Sequence, residues 1–544
     1  MKRLLASYRD NRIKFVFTIL LLGCLVSQLL ITLYFNIFEA DIHLGIDSSW
    51  EYLKVLIVGD NGGIYSTKLI SDTTAPWISR SFIFALPLYM VTGNINISYA
   101  IANLIITMLT IYFMVSVMQI KGFELNTILI VLNMFACPYL LNYYSWHNDL
   151  GYFNCVLGMA AYYNLIVLYI FMAFRILVSQ EFLKKEKIII GFSYALSFLI
   201  GIGAGMSMLA MVFLPLLITR IVLGFIKNTK KAFLDKHSIY IYICTGFALL
   251  GQLVGLLVGM KYKSSLASWS TTENIWKNIG NMFSGFMRLF AAIPTDETVC
   301  SPTSKAGILF VFSIIIFTIV IVSVVYALIK VLGNLIKNHN LDDFKMSLLV
   351  IMTSTFIEFS LLDTSYGAVF EDRYLIFAMM CALILVGYFI DSLDNTLLFK
   401  KVGVVVLFLS VVCIDLGSDY IYKRLTNEEY LMDQMVSLID ESDAGLVYAW
   451  GKDTSIYEHC LRIYDTKRVY KLIGDDNKVN RWGDYLYYDD SSAYQGATML
   501  MTNGDISFIP SNIMEKYELV GTIHGVDFYY CKDNPIDTYK LEEK

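Results

Sequence analysis

Long apolar runs separated by short polar segments dominate the chain. Runs of about 20 residues can each cross roughly 30 Å of hydrocarbon as a helix, and they predict about eleven membrane spans. The spans lie near residues 15–38, 95–119, 125–142, 151–176, 188–203, 206–226, 239–260, 307–331, 346–362, 373–391 and 402–418. The run from Ile188 to Ile226 is too long for one crossing, so we place a helical hairpin there that turns at "GIGAG", residues 201–205. The pattern predicts a mainly α, polytopic membrane protein.

The charges of the loops predict the orientation, because Lys and Arg collect on the cytoplasmic side of a membrane. With this count, the basic amino terminus, the basic loops at 175–187 and 227–236, and the pair Lys400 and Lys401 fall on one face. The loops on the other face are rich in acidic and aromatic residues, as in "FEADIHLGIDSSWEY" and "NYYSWHND". The first run lacks a small-residue cleavage site, so we interpret it as a retained helix. We expect a multi-pass protein of the cell membrane with a cytoplasmic amino terminus and an extracytoplasmic carboxyl terminus.

Residues 1–418 form the predicted transmembrane domain. Two of its outer loops are predicted to contain structured segments. The first, 39–94, is long and ends in "WISRSFIFALPLYMVTGN", an apolar piece too short to cross, which we expect to lie at the interface or to re-enter the membrane. The loop 261–306 predicts an amphipathic helix that lies flat on the outer leaflet. Its apolar face has Ile275, Ile279, Phe283, Phe286, Leu289 and Phe290.

The tail, residues 419–544, has the pattern of a small extracytoplasmic α/β domain. Short apolar runs predict strands at 445–450, 468–473 and 497–503, and a helix is predicted at 453–464. A hairpin is expected to turn at His524 and Gly525. Cys460 and Cys531 could pair in an oxidising exterior, which the sequence leaves open.

Composition supports the membrane assignment. Of 544 residues, 56% are hydrophobic and only 16% are charged, and the mean hydropathy is +0.58. The net charge of −5 offers no basic surface for nucleic acid. The nine cysteines form no CxxC or Cys/His pattern typical of a metal site. We expect no cofactor; acidic side chains could hold a divalent cation through oxygen ligands, but no fixed spacing demands one.

Three features together resemble a known superfamily. A first helix is followed by a large outer loop that begins with acidic residues, and "PLYMVTGN" leads into the second helix. Further along, "EDRYLIFAMM" at 371–380 opens a late helix from its outer end. This arrangement resembles the glycosyltransferase-C (GT-C) superfamily of polytopic membrane sugar transferases. The chain departs from it in lacking the Asp-Glu pair of several families, which leaves open which acid matches the catalytic one.

The resemblance implies inverting transfer of a sugar from a polyprenyl-phosphate donor to an envelope glycan, lipid or protein, at a site open to the extracytoplasmic side. Membrane lipids would surround the site, and nucleic acid would not be a partner. Transfer from a lipid phosphate needs a base for the proton of the acceptor hydroxyl, and cations for the departing phosphate. The candidate catalytic acids are Asp47 as the base, Glu51 one helical turn later, and Asp41 in reserve. Asp47 is equally well placed as a helix N-cap.

Candidates for substrate binding come from several outer loops. A guanidinium presents a planar fork matched to phosphate oxygens, so Arg373 is the first candidate and Arg80 the second. Arg373 has two alternative roles: pairing with a neighbouring acid or reaching lipid headgroups. His147 and Asp149 could orient a sugar hydroxyl, or His147 could be a simple interfacial histidine. Glu358 stands within a predicted span, where acids are costly and indicate function, unless it is wet or paired with a neighbouring helix.

Three other classes fit parts of the sequence. A transporter or flippase of lipid-linked saccharides should have ionisable groups near the midplane and repeated halves, of which Glu358 and the "GIGAG" hairpin are the only signs. A polysaccharide polymerase should have more outer-face arginines than Arg80, Arg288 and Arg373. A non-catalytic envelope scaffold would need the tail but neither Asp47 nor Arg373.

Overall fold

A computed structural model describes most of the chain. The described residues are 12–38, 40, 46–60, 80–137, 152–159, 161, 163–227, 233–257, 267–293, 301–336, 341–364, 372–393, 397–427, 431–451, 454–465, 467–478 and 494–536. In these described residues, the α-helices before the tail are α1 Arg12–Phe38, α2 Ile46–Asp60, α3 Phe82–Thr92, α4 Ile95–Ile120, α5 Leu125–Ala136, α6 Asn164–Leu177, α7 Lys184–Met208, α8 Leu214–Lys227, α9 Lys236–Leu257, α10 Thr272–Arg288, α11 Lys305–Ile336, α12 Asp343–Leu361, α13 Ile376–Ser392 and α14 Leu397–Asn427.

Nine helical segments of the described part are long and apolar enough to cross a membrane. They are Lys14–Phe38, Ile95–Ile120, Lys184–Gly203, Leu209–Lys227, Lys236–Leu257, Gly307–Ile336, Asp343–Leu361, Asp372–Ser392 and Lys401–Asp419. Each coincides with a predicted span, which confirms the multi-pass helical character. The two other predicted spans contain only the shorter apolar helices α5 and α6. Both are buried along almost their whole length, so they form the centre of the helical bundle.

Ion pairs join several helix ends at one end of the bundle. They are Lys14–Glu124 at 2.7 Å, Lys121–Asp342 at 3.0 Å, and Lys227–Asp343. Because α1 begins here, we call this the proximal end and the opposite one the distal end. Of the described basic residues, Lys14, Lys121 and Lys227 lie at the proximal end.

The predicted turn at residues 201–205 is wrong, because these residues continue α7. The break between α7 and α8 is instead a π-helical turn at Leu209–Phe213. The glycines here serve close packing of α7 on α9. A Cβ atom on Gly201 would lie 2.0 Å from the carbonyl oxygen of Ala248, and one on Gly251 would lie 2.1 Å from that of Phe198. Glycine at these positions lets the two backbones approach closely.

The prediction of one continuous helix over 151–176 is also wrong. A π-helical turn at Phe153–Leu157 comes first, and α6 begins only at Asn164. Between them, Met159 and Ala161 have positive φ angles of 51° and 41°. Irregular backbone within a bundle is tolerated where other groups bond its free polar atoms.

The amphipathic helix predicted in the loop 261–306 is confirmed as α10, but part of its apolar face packs on protein. Phe286, Leu289 and Phe290 are buried, and the Phe286 ring lies 5.4 Å from the ring of Phe356 in α12. Phe283, which the sequence places on the same face, is 62% exposed. The short strands β1 (Ala267–Trp269) and β2 (Leu362–Thr364) pair antiparallel and tie α10 to the end of α12.

The tail contains the predicted α/β domain. It follows α14, which ends at Asn427 rather than near 418. Its elements are α15 Leu431–Asp440, β3 Leu446–Trp450, α16 Ser455–Tyr464, β4 Val469–Ile473, β5 Thr498–Thr502, α17 Ser511–Met514, β6 Glu518–Ile523 and β7 Val526–Cys531. The strand order is β4-β3-β5-β7-β6, with β4, β3 and β5 parallel and β7 antiparallel to both its neighbours.

Two sequence-level details of the tail are resolved. The β6–β7 hairpin turns at His524 and Gly525, both with positive φ, as a two-residue turn of matching twist requires. Cys460 and Cys531 are both free thiols and belong to separate hydrophobic clusters, so the possible disulfide is not formed.

Candidate functional site

The helix α2 carries two of the candidate acids, Asp47 and Glu51. Asp47 is its second residue, so an acid stands in the first turn, where a helix favours negative charge. Its side chain lies outside the described residues, as does Asp41 altogether. The first side chain of α2 that the structure describes is therefore that of Ser48.

Glu51 is the centre of a buried ion cluster. Its Oε1 atom accepts hydrogen bonds from Lys54 Nζ at 2.6 Å and from Arg80 Nη1 at 2.5 Å. The side chains of Glu51 and Lys54 are each 2% exposed, whereas that of Arg80 is 20% exposed. Of the three, Arg80 alone reaches solvent appreciably, so Glu51 holds a guanidinium at the edge of a buried region.

A tyrosine pair fixes α2 against α4. The rings of Tyr52 and Tyr99 stack with centroids 4.1 Å apart and planes within 5°. The Tyr99 hydroxyl donates to the backbone carbonyl of Glu51 at 2.8 Å. Both rings are fully buried, so Glu51 is held through its backbone as well as through its carboxylate.

A network of amides lies next to Arg80. Ser81 donates to Asn103 Oδ1 at 2.6 Å and accepts from Asn164 Nδ2 at 2.6 Å. Asn103 Nδ2 donates to Asn36 Oδ1 at 2.8 Å and to the carbonyl of Met159 at 2.7 Å. The network joins α1, α4 and α6 to the residue before α3, and it bonds the irregular backbone at Met159. It thereby anchors the chain beside Arg80.

The tail packs on the other side of α2. Cys460 Sγ of α16 lies 3.3 Å from Ser49 Oγ, and Asn96 Nδ2 of α4 donates to the Tyr464 hydroxyl at 3.4 Å. Ser48 and Ser49 are fully buried. Ser49 of α2 is thus in contact with a helix of the α/β domain.

The same helix α16 carries a second buried charge cluster. Glu458 is fully buried and forms an ion pair with Arg462, and the Nδ1 atom of His459 lies 2.9 Å from a carboxylate oxygen of Glu458. Burial alone raises the pKa of Glu458, but the Arg462 charge and the neighbouring His459 outweigh it, so the pKa lies below its usual value. An ionised Glu458 is therefore part of the folded domain.

Arg373 and Glu358 belong to a different group of elements. Arg373 lies in the 3₁₀ turn Asp372–Leu375, with its guanidinium 5.8 Å from the centre of the Tyr374 ring. Tyr374 stacks on Phe359 with centroids 5.0 Å apart, which brings this turn beside Glu358. Both carboxylate oxygens of Glu358 are buried and make no hydrogen bond with the described residues.

The acid beside Arg373 is engaged elsewhere. Asp372 binds Arg288 of α10 through two hydrogen bonds, at 2.7 and 2.8 Å. A neighbouring acid, Asp363 of β2, accepts from Ser270, Asn274 and Asn278 at 2.7 to 3.0 Å. These hydrogen bonds lower the pKa of Asp363 below its usual value. Both aspartates hold α10 in place.

The structure brings together two of the predicted residues, Glu51 and Arg80. Arg373 and Glu358 form a second group, built on α12 and the turn before α13. His147 and Asp149 lie outside the described residues. In the described part of the chain, no group of three or more His, Cys, Asp or Glu side chains is arranged to hold a metal ion.

Sequence reasoning missed Lys54, the amide network and the buried charges of α16. A signal existed for the network, because Asn36, Asn103 and Asn164 all interrupt or border apolar runs. Lys54, three residues after Glu51, has the spacing of a helical ion pair. No protein-family model and no curated protein matches the chain.

Proposed function

We propose that this protein is a membrane glycosyltransferase that moves a sugar from a polyprenyl-phosphate donor to an envelope glycan, lipid or protein acceptor. One observation carries the proposal: a buried carboxylate, Glu51, holds the partly exposed guanidinium of Arg80 beside the helix that bears Asp47. The resemblance of the outer-loop segments to the GT-C superfamily supports the same assignment. The donor sugar and the acceptor are left unspecified.

In the proposed reaction, the acceptor hydroxyl attacks the anomeric carbon of the donor sugar. Asp47 takes the hydroxyl proton, a new glycosidic bond forms, and the bond from the anomeric carbon to the phosphate oxygen breaks. The phosphate leaves with the bonding electrons, and its charge is stabilised by Arg80, with Arg373 as a further candidate. Glu51 is better suited to positioning Arg80 than to proton transfer, because one of its oxygens already accepts from two cations.

The proposed orientation places the distal end outside the cell. Lys14 and Lys121 lie at the proximal end, and Lys and Arg favour the cytoplasmic side. If α5 and α6 both cross, the described part of the chain has eleven spans, and if neither crosses, it has nine. Both counts are odd, so the tail and α2 lie outside in either case.

The orientation is tested with single cysteines in a cysteine-free background. Ser301 is exposed at the distal end and Glu181 is exposed at the proximal end. A membrane-impermeant maleimide applied to intact cells is expected to label Ser301→Cys and not Glu181→Cys. The opposite result would overturn the proposed orientation.

The activity is tested with radiolabelled short-chain polyprenyl-phosphate hexoses and pentoses added to membranes. The readout is release of the polyprenyl phosphate together with sugar in the lipid-free product. General base catalysis is worth on the order of 100- to 10,000-fold, so we expect Asp47→Asn to lower transfer by that range. Arg80→Ala should also lower it strongly. Glu124→Gln, which removes a proximal-end acid, is the control, and transfer by Asp47→Asn at the control rate would refute the assignment.

Transport of a lipid-linked saccharide is the second candidate, and Glu358 favours it. An acid within a span whose oxygens make no hydrogen bond with the described residues is a common feature of substrate and proton pathways. In that case Glu358→Gln would abolish movement of a fluorescent polyprenyl-diphosphate saccharide across proteoliposomes. Under the glycosyltransferase proposal, wild-type protein moves no such lipid.

A further inference from the structure

The tail domain is commonly the separable part of a membrane protein, but here its helix α16 is packed into the candidate site. We propose that α16 is a positioning element of that site, which fixes α2, and with it Asp47 and Arg80, through Cys460 and Tyr464. This inference rests on the proposed function for its effect on activity. The packing of α16 on α2 is independent of the proposed function.

The burial of α2 is the first argument. Every residue of α2 from Glu51 to Val58 is buried, as are Ser48 and Ser49. A 15-residue helix that follows a membrane span in an outer loop would ordinarily expose one face to water. The α3 and α4 helices cover one side of α2, and α16 covers another, so removal of the domain would leave buried serines facing solvent.

The two contact points are the second argument. Cys460 meets Ser49 two residues before Glu51, and Tyr464, one helical turn after Cys460, meets Asn96 at the start of α4. The Tyr52–Tyr99 stack joins the same two helices, α2 and α4. One face of α16 therefore bridges both helices that hold the Glu51 backbone.

The stiffness of α16 is the third argument. Glu458 and Arg462 form a buried ion pair within the helix, and Arg462 Nη2 also donates to the Tyr470 carbonyl of β4 at 3.1 Å. These charges fasten α16 to the sheet of its own domain. A displacement of the domain would therefore be transmitted to α2 by a rigid helix.

Geometry is tested first, by a disulfide between residue 49 and Cys460. Ser49→Cys places a second thiol where the Ser49 hydroxyl lies 3.3 Å from the Cys460 sulfur. Copper–phenanthroline accepts the two electrons as both thiols lose their protons, and mass spectrometry of the digest detects the linked peptides. We expect most of the protein to be linked. Ser48→Cys is the matched control, because residue 48 lies about 100° round the helix from residue 49 and should not link.

Positioning is tested by a rescue. Tyr464→Ala removes the contact with Asn96 and loosens the interface, and a misplacement of about 1 Å at a reacting centre costs on the order of 100-fold in rate. We expect sugar transfer to fall by about 10- to 100-fold in Tyr464→Ala. In the double variant Ser49→Cys, Tyr464→Ala, forming the 49–460 disulfide should restore transfer, and reduction should remove the gain. A role in folding alone would not produce this reversible effect.

Each outcome bears on one proposal. If residues 49 and 460 do not link, or if the linked Ser49→Cys protein loses transfer, α16 does not hold the working arrangement and the inference is overturned. If wild-type protein transfers no sugar while the disulfide forms, the proposed function fails and the docking geometry stands. If wild-type protein is active and oxidation does not rescue the double variant, the positioning role fails.

Discussion

Replacing Glu51 with Gln is the most direct test of the buried ion cluster. Gln has nearly the shape of Glu, so the substitution removes the negative charge and leaves the packing. Lys54 and Arg80 then lose the carboxylate oxygen that both of them contact. The expected result is a large loss of stability together with a loss of the fixed position of Arg80.

The burial of the cluster sets the magnitude. With both side chains 2% exposed, water screens the Glu51–Lys54 pair very little. Removing one partner of such a pair costs about 3–5 kcal/mol, because the other charge remains buried. The pair Lys14–Glu124 is the natural comparison, since its side chains are 38% and 42% exposed. An exposed pair is worth about 0–1 kcal/mol, so Glu124→Gln should change stability within that range.

The assay is equilibrium unfolding in mixed micelles, followed by tryptophan fluorescence, for Glu51→Gln and Glu124→Gln side by side. The double variant Glu51→Gln, Lys54→Met removes both charges of the pair, and we expect it to recover part of the loss. A coupling energy of about 0.5–3 kcal/mol is the usual size for contacting residues. The reasoning is refuted if the two single variants unfold alike, or if Lys54→Met adds its own cost to that of Glu51→Gln.

Three further predictions follow from packing and hydrogen bonding. Gly201→Ala should destabilise the protein by about 1–3 kcal/mol through overpacking against α9. Gly191→Ala on the same helix, with open space around its Cβ, should be neutral or stabilising. Equal unfolding midpoints for the two variants would contradict this prediction. Asp363 has a lowered pKa, so its contribution to stability is present above its unfolded value near 4 and is lost as the pH falls through its folded value. The protection of the α10 amides against hydrogen exchange should therefore fall below about pH 4 in the wild type. An Asp363→Asn variant should show no such fall in protection. Asn103→Ala should cost about 1–3 kcal/mol for each polar group left unbonded, and Asn503→Ala, at an exposed position, should cost almost nothing in the same melting experiment.

The helical bundle could be predicted in detail where the signal is local. Nine predicted spans coincide with apolar helices, because hydrocarbon thickness fixes both the length and the composition of a crossing helix. The predictions failed where one residue pattern is compatible with two different backbone structures. Gly201 indicated a turn and instead allows close packing, and the segment 151–176 was predicted as one helix but contains a π-helical turn at Phe153–Leu157 and a helix that begins only at Asn164. Both outcomes depend on a neighbouring helix rather than on the segment itself.

The candidate site was predictable in residue type more than in arrangement. Glu51 and Arg80 were chosen separately, for acidity and for the phosphate-binding guanidinium, and their hydrogen bond is visible only in three dimensions. Pairing with a neighbouring acid was one alternative role for Arg373, and one such acid, Asp372, binds Arg288 of α10, 84 residues earlier in the chain. Charge pairing is set by whichever partner shares the same buried space, and that partner is often remote in sequence.

The sequence by itself determined that the chain has many apolar helices long enough to cross a membrane and that the tail contains an α/β domain. These features follow from hydropathy, charge counts and strand periodicity, which act over a few residues. Only the tertiary structure decided that Glu51 holds Arg80, that an amide network supports the residue beside Arg80, and that α16 covers α2. Ser49 and Cys460 are 411 residues apart in the chain, and no local pattern indicates that they meet. Their contact exists because the second half of α2 carries apolar side chains round its whole surface, such as Leu53, Val55 and Ile57, and these are buried by the surrounding elements.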